Sequence, residues 1–158
     1  MARADAARDG LPMKQRPGHL TELLNSRFRT LSELLSMSKR ILVADDSDTV
    51  RRFVRSYLTQ QDLDVCGEAV DGEDTIEKAW ELKPDLILLD VAMPGTNGII
   101  VASVLKDMIP NVQIVLFTMY SEAVHRTFTH KGLDVDAVID KGEGMGKLAD
   151  CVRGLLDS

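Results

Sequence analysis

The chain has 158 residues, of which 44% are hydrophobic and 28% are charged. That length suits one domain with its own core, and no apolar run reaches the roughly 18 residues of a membrane span. Residues 1–40 hold eight Lys/Arg and four Asp/Glu, a net charge of +4, whereas residues 41–158 hold eleven and twenty-one, a net charge of −10. The acidic part argues against nucleic acid binding and suits a protein that gathers carboxylates around a cation. Because no secretory signal is present either, we expect a cytoplasmic protein.

Residues 1–38 differ from the rest in composition and pattern. Residues 1–19 are rich in Ala, Arg, Asp, Gly and Pro without a hydrophobic period, which predicts disorder. Residues 20–36 carry apolar side chains at three- and four-residue steps, which favours an amphipathic helix. These positions are Leu20, Leu23, Leu24, Phe28, Leu31, Leu34 and Leu35. Two interpretations stay open: a working helix for a partner or for the domain surface, or an extension upstream of a natural start at Met37.

Strand and helix patterns alternate from residue 39 to residue 158. Each strand-like run is followed by helical periodicity, and the runs recur at roughly 20 to 27 residues, the length of a βα unit. The runs are residues 41–44, 64–69, 86–89, 112–117 and 137–139. Residues 86–89 are all apolar, which predicts a strand buried on both faces. We predict an α/β fold, a flavodoxin-like doubly wound (βα)5 domain whose parallel sheet has the order 2-1-3-4-5 by fold analogy.

The helix ends and several core positions also follow from the sequence. Ser47 or Asp48 is the predicted cap of the first helix, Pro110 is predicted to stop the third helix at Ile109, and the fourth is predicted to end near Gly132. We assign the aromatic side chains of Phe53 and Trp80 to the core. Cys66 and Cys151 are predicted to be buried free thiols.

The predicted strands end in groups that carry chemistry. Asp45 and Asp46 follow the first strand, Asp90 the third, Thr118 the fourth and Lys141 the fifth. The carboxyl ends of parallel strands lie at one edge of the sheet, where open α/β sheets bind ligands. With strands about 4.8 Å apart, Asp46 and Asp90 can share a pocket, and the long Lys141 side chain can cover most of the gap to Asp90.

Three carboxylates in one pocket indicate a metal site beside a nucleophile. Carboxylates this close repel one another unless a cation lies between them, and an all-oxygen site without His or Cys suits Mg²⁺. Beside such a metal, Asp90 is a candidate nucleophile toward phosphorus that would form an acyl phosphate. The metal and Lys141 would neutralise charge on the phosphoryl group, and the Thr118 hydroxyl could donate a hydrogen bond to it.

An ordered set of motifs closely resembles the receiver domain of two-component response regulators. The motifs are Ile41-Leu-Val-Ala-Asp-Asp46, Asp90-Val-Ala-Met-Pro-Gly-Thr-Asn-Gly98, Leu116-Phe-Thr118 and Asp140-Lys141. The resemblance implies that Asp90 accepts a phosphoryl group from a phosphohistidine on a sensor histidine kinase or a phosphotransfer protein. It also implies an Mg²⁺ cofactor bound by Asp46, Asp90 and the backbone carbonyl of Ala92, with Asp45 helping through water.

The resemblance further implies that Thr118 is the switch threonine and that Lys141 contacts the phosphate. Family members usually carry an aromatic residue three positions before the lysine, where this chain has Val138, so the usual aromatic rotamer switch is in doubt. Gly142 stands where the family has a proline, and a cis bond cannot be assumed there because a non-proline cis peptide costs about 3 kcal/mol.

The residues that flank an attacking water predict a long-lived phosphate. Ala92 lies two residues after the phosphoacceptor and offers no group to orient the water. Tyr120 lies two residues after the switch threonine and could hinder the approach of the water. We therefore predict slow self-dephosphorylation.

Two other functions fit parts of the sequence. Asp46-Ser-Asp48-Thr-Val50 matches the opening motif of haloacid-dehalogenase-like phosphatases, with Asp46 as nucleophile, but that assignment leaves no room for a flap and no role for Asp90. A receiver fold kept only for docking would not need the full set of acidic residues, threonine and lysine. Because the chain stops after the fifth helix, we expect a single-domain regulator. We expect it not to be an enzyme, to bind neither nucleic acid nor membrane, and to signal through contact with an unknown protein.

Overall fold

The computed structural model describes residues 38–132 and 134–158. The predicted extension, with its helix at 20–36 and the proposed start at Met37, lies outside the described residues. Within them, five strands alternate with five helices, and a 3₁₀ turn (Lys141–Glu143) precedes the last helix. In chain order they are β1 (Arg40–Ala44), α1 (Asp48–Gln60), β2 (Asp64–Ala69), α2 (Gly72–Leu82), β3 (Leu86–Leu89), α3 (Gly98–Met108), β4 (Gln113–Thr118), α4 (Ser121–Lys131), β5 (Ala137–Asp140) and α5 (Met145–Leu156). None of the helices in this part of the chain is long and apolar enough to cross a bilayer.

All five strands form one parallel sheet in the order β2-β1-β3-β4-β5. This confirms the predicted α/β class and the flavodoxin-like strand order. Parallel pairing aligns the strand ends, since Ala44 pairs with Leu89 at the ends of β1 and β3. Thr118 pairs with Asp140 at the ends of β4 and β5. The residues that follow these four strands therefore reach the same edge of the sheet.

The central strand β3 is covered on both faces. Ile87 and Leu89 belong to one apolar cluster, and Leu86 and Leu88 belong to the other. All four side chains are at most 1% exposed, which confirms the predicted two-sided burial. Burial of each such side chain contributes about 1.5–3 kcal/mol. The strand that carries Asp90 at its end is thus held firmly between two layers of helices.

The helix ends match their predicted capping residues. The hydroxyl of Ser47 accepts a hydrogen bond from the Val50 amide at 3.4 Å and caps α1. Helix α3 stops before Ile109, the residue that Pro110 disfavours in a helical conformation. Helix α4 stops before Gly132, whose φ of +60° suits a residue without a Cβ.

The assignment of Phe53 and Trp80 to the core was wrong. Their side chains are 59% and 61% exposed. On α1 the buried stripe runs through Arg51 and Val54, and Phe53 is turned about 100° away from Val54 around the helix axis. Trp80 lies one residue past the buried Ala79 of α2 and is turned outward in the same way. The helical period predicted both helices and a buried side for each, but it did not decide which residues lie at the border of that side.

Cys66 and Cys151 are free thiols, as predicted, but they are half-buried rather than fully buried. Burial is the main cause that raises the pKa of both thiols. Both side chains therefore stay protonated at neutral pH and are poor nucleophiles.

Candidate functional site

Three carboxylates meet where β1 and β3 end. Asp45, Asp46 and Asp90 each place one carboxylate oxygen within 4.8 Å of the others. Asp45 is 2% exposed and Asp90 is 4% exposed, whereas Asp46 is exposed to solvent. The predicted acidic pocket is therefore present, with two carboxylates in its floor and one at its mouth.

Backbone amides hold the two buried carboxylates in place. The Val91 amide donates to Asp90 Oδ1 at 2.8 Å, and the Ser47 amide donates to Asp45 Oδ1 at 2.9 Å. The amide of Asp90 itself donates to the Ala44 carbonyl at 2.9 Å, which continues the pairing of β3 with β1. Each buried carboxylate thus has one satisfied oxygen and presents the other, Oδ2, to the pocket.

Lys141 contacts both of these Oδ2 atoms. Its Nζ lies 2.6 Å from Asp45 Oδ2 and 3.2 Å from Asp90 Oδ2, and its side chain is only 15% exposed. Burial alone would lower the pKa of Lys141, but its hydrogen bonds and ion pairs with the two aspartates outweigh burial and raise that pKa. The lysine is therefore charged at neutral pH. The sequence predicted its approach to Asp90 but not its shorter contact with Asp45.

Thr118 ends β4 with its side chain fully buried. Its Oγ1 accepts a hydrogen bond from the Tyr120 amide at 3.2 Å. The hydroxyl thus stabilises the turn between β4 and α4. The structure brings Thr118 to the predicted edge of the sheet, where its rotation would alter this turn.

The sequence analysis quoted Asp140 only as part of a motif, and it missed Ser121 and the hydrogen bonds that Asp140 makes. The Ser121 hydroxyl donates to Asp140 Oδ2 at 2.5 Å, and the Gly142 amide donates to Asp140 Oδ1 at 2.7 Å. These hydrogen bonds, led by the one from Ser121, lower the pKa of Asp140. Asp140 and Glu143 form a capping box around the turn that carries Lys141. In the sequence, this capping box is indicated by Asp140 followed three residues later by Glu143.

The loop after Asp90 folds back against the site. The Gly98 amide donates to the Val91 carbonyl at 3.0 Å, and a Cβ on Gly98 would lie 2.2 Å from the Asp90 carbonyl oxygen. Only glycine fits at this position, because a Cβ atom would overlap the Asp90 carbonyl oxygen. Ala92 is exposed on this loop. Its predicted use as a carbonyl ligand stays a prediction.

The donor set fits a divalent hard cation. The three candidate ligands are carboxylate oxygens, the type that Mg²⁺ prefers. The exposed position of Asp46 leaves a solvent side on which Mg²⁺ could keep several waters. Three carboxylates and the Lys141 ammonium carry a formal charge of −2, which one divalent cation would balance.

Comparison with known proteins decides the family. The model of the response regulator receiver domain matches residues 41–153. The chain belongs to this family. The response regulator VraR of Staphylococcus saprophyticus is 40% identical over 120 residues, a stretch that covers 74% of this chain and 56% of the relative. This receiver chain therefore spans about half the length of the curated relatives it matches.

Solved receiver domains share the architecture. The response regulator domain of Thermotoga maritima CheB is 28% identical with a TM-score of 0.67, covering 75% of this chain and 96% of that domain. The response regulator TrrA of the same organism, solved in complex with Mg²⁺-BeF, is 29% identical with a TM-score of 0.66. That match covers 74% of this chain and 98% of TrrA.

The start of helix α1 bears on the phosphatase alternative. Helix α1 begins at Asp48, only two residues after Asp46, so no flap lies between them. The Asp48 carboxylate is 3.3 Å from Arg51 Nη2 and 3.0 Å from Arg52 Nη2, which makes it an ion-pair partner on the helix.

The structure shows the surroundings of the residues that depart from the usual receiver pattern. Val138 is half-buried and packs against the apolar cluster that includes Ile87 and Leu89. No peptide bond among the described residues is cis, so the bond between Lys141 and Gly142 is trans. The side chain of Tyr120 is 58% exposed. The predicted effect of Ala92 and Tyr120 on dephosphorylation stays a prediction.

Proposed function

We propose that Asp90 of this receiver domain accepts a phosphoryl group from a phosphohistidine on a sensor histidine kinase or phosphotransfer protein. The supporting observation is the environment of the Asp90 carboxylate, which is 4% exposed and has Lys141 Nζ 3.2 Å from its Oδ2. The amide on Oδ1 orients the carboxylate so that Oδ2 is the attacking atom. The protein is then a phosphoacceptor, not an enzyme, and acts in the cytoplasm, where ATP-dependent kinases supply the phosphoryl group.

The reaction is a direct displacement at phosphorus. Asp90 Oδ2 bonds to phosphorus while the bond to the histidine nitrogen breaks, and its electron pair stays on the imidazole. Asp45, Asp46, Asp90 and the Ala92 carbonyl would hold Mg²⁺, which when bound would supply positive charge beside the phosphoryl oxygens. The Lys141 ammonium is already in place to exchange its contact with Asp90 for a phosphoryl oxygen.

Phosphorylation would be read out on the surface beside α4. When the Thr118 hydroxyl turns to a phosphoryl oxygen, it gives up its hydrogen bond with the Tyr120 amide. The turn that follows carries Met119 and Tyr120, which are 65% and 58% exposed and line a surface cavity of about 660 Å³ with Glu122, Arg126 and Glu143 among others. A shift of this turn changes a mixed apolar and charged surface, to which a target protein would bind.

Phosphorylation by a small-molecule donor tests the proposal. We expect acetyl phosphate with Mg²⁺ to add one phosphoryl group to Asp90, detected by intact mass and peptide mapping as an acid-stable, alkali-labile adduct. Asp90→Asn should abolish the adduct, because an amide oxygen is not a nucleophile toward phosphorus. Asp150→Asn, an exposed aspartate on α5, serves as the matched control and should label normally.

The same preparation gives the lifetime of the adduct, which we expect to be well above seconds because of Ala92 and Tyr120. If the folded wild type never forms the adduct with any donor, the receiver fold is used here for docking alone.

A further inference from the structure

A buried arginine contacts the backbone of the acidic pocket. Arg51 lies on the first turn of α1 and is only 8% exposed. Its Nη1 donates to the backbone carbonyl of Asp45 at 2.7 Å, a short charge-assisted hydrogen bond. Arginines this buried usually form bidentate pairs with a carboxylate. Here the shortest contact is instead to a neutral carbonyl inside the metal-binding motif.

That carbonyl belongs to the peptide between the buried Asp45 carboxylate and the exposed Asp46 carboxylate. The Asp45 oxygen belongs to the planar peptide unit that joins Asp45 to Asp46. Because the unit is rigid, fixing its oxygen restricts the backbone rotation on both sides of it. The Asp45 amide is held in turn by the Ala69 carbonyl at 3.1 Å. The contacts at the Asp45 carbonyl and amide therefore restrain the backbone from which the two carboxylates project.

Two acidic residues hold the guanidinium in place. Asp48 Oδ1 lies 3.3 Å from Arg51 Nη2, and Glu68 Oε2 on β2 lies 3.4 Å from Arg51 Nε. Glu68 also pairs with Arg55. The Arg51 Nε is buried and makes no hydrogen bond, so Glu68 provides an ion-pair contact, while the hydrogen bond to the Asp45 carbonyl orients the guanidinium.

We propose that Arg51 is a positioning residue, which holds the Asp45–Asp46 peptide and thereby sets the affinity of the pocket for Mg²⁺. The inference rests on the proposed function, since it assumes that the acidic pocket binds Mg²⁺. Arg51 acts through the backbone and contacts neither the metal nor the phosphoryl group. Groups that orient metal ligands in this way typically contribute a factor of about 10–100 to metal affinity.

The test compares Arg51→Met with Arg52→Met. Arg52 is the next residue on α1, carries the same charge and contacts the same Asp48 carboxylate at 3.0 Å, but its side chain is 77% exposed. Mg²⁺ is titrated into each purified protein by calorimetry, without any phosphodonor. We expect Arg51→Met to bind Mg²⁺ about 10–100-fold more weakly than the wild type. Arg52→Met should stay within about twofold, because it loses only an exposed ion pair.

Arg51→Lys separates positioning from charge. Lysine keeps the positive charge and one donor but lacks the planar fork that reaches the carbonyl and an acidic partner together. We expect an intermediate Mg²⁺ affinity, and a phosphorylation rate at saturating Mg²⁺ close to that of the wild type. Urea unfolding of each variant identifies conditions under which it is folded, and the titrations are carried out there.

The outcomes distinguish failure of this inference from failure of the proposed function. A wild type that binds no Mg²⁺ removes the metal site and the inference with it. A wild type that binds Mg²⁺, together with Arg51→Met equal to Arg52→Met, leaves the function standing and overturns the inference. A purely structural role would lower the urea midpoint and leave the Mg²⁺ dissociation constant of the folded protein unchanged, which also overturns it. If Arg51→Met does not fold, the Arg51→Lys titration decides by the same criterion.

Discussion

A lysine lies at each edge of the sheet, and the two lysines are similarly buried but contact different numbers of carboxylates. At the amino end of β5, Lys106 Nζ lies 2.9 Å from Asp136 Oδ2, and the lysine side chain is 13% exposed. At the carboxyl ends of the strands, the Lys141 side chain is 15% exposed and contacts both Asp45 and Asp90. The first arrangement is one cation to one anion. The second is one cation to two buried anions, with a third carboxylate beside them.

Because the two lysines are similarly buried, the balance of charge around them, rather than their burial, distinguishes the structural ion pair from the candidate site. Asp136 also accepts a hydrogen bond from the Ile114 amide at 2.7 Å, so its Oδ2 has two partners that tie α3 to the sheet. The charges of this pair balance each other without a bound ion. The pocket at the other edge has more negative than positive charges, and this excess favours binding of a cation.

The largest expected difference between the two edges is in how much Mg²⁺ raises the free energy of unfolding. At a hundredfold excess over its dissociation constant, a ligand that binds only the folded state raises the free energy of unfolding by about 2.7 kcal/mol. We expect this increment in the wild type and in Asp136→Asn, whose substitution lies at the opposite edge. Asp90→Asn should lose most of it. Urea unfolding with and without Mg²⁺ measures the increment, and the same increment in all three proteins would contradict the proposed location of the metal.

Removal of one carboxylate from each edge should have unequal effects on stability. Without Mg²⁺, Asp136→Asn leaves Lys106 without its anion and should lower the free energy of unfolding by about 1–2 kcal/mol, given that the Asp136 side chain is 28% exposed. Asp90→Asn relieves repulsion while Lys141 keeps Asp45, so the change should be within about 0.5 kcal/mol or stabilising. Urea midpoints in a metal-free buffer give both values. A larger loss for Asp90→Asn than for Asp136→Asn would reverse the comparison.

The smallest expected effect comes from removing the lysine of the pocket. Lys141→Met frees the Oδ2 atoms of Asp45 and Asp90 from a competing cation, so Mg²⁺ should bind about two- to fivefold more tightly. The phosphorylation rate should nevertheless fall, since the variant lacks the ammonium that pairs with a phosphoryl oxygen. Calorimetry measures the affinity and intact mass measures the rate. Lys106→Met is the matched control, and it should change neither quantity.

Local sequence pattern determined the strands, their order along the chain and the residues that end them. The apolar run at 86–89 required a strand buried on both faces, and parallel strands deliver their terminal residues to one edge. Asp45, Asp46, Asp90, Thr118 and Lys141 could therefore be assigned to one edge of the sheet, with the strand order taken from fold analogy. Residue type then indicated an oxygen site for a hard cation.

Tertiary structure decided how the side chains of that site are held. The contact of Arg51 with the Asp45 carbonyl and the hydrogen bond between Ser121 and Asp140 depend on how each helix is rotated against the sheet. The rotations of α1 and α2 against the sheet also turn Phe53 and Trp80 toward solvent, against the sequence-based expectation. A helical period states that one side is buried but not which residues lie at its border. That choice is made by packing between elements distant in sequence, which no local pattern records.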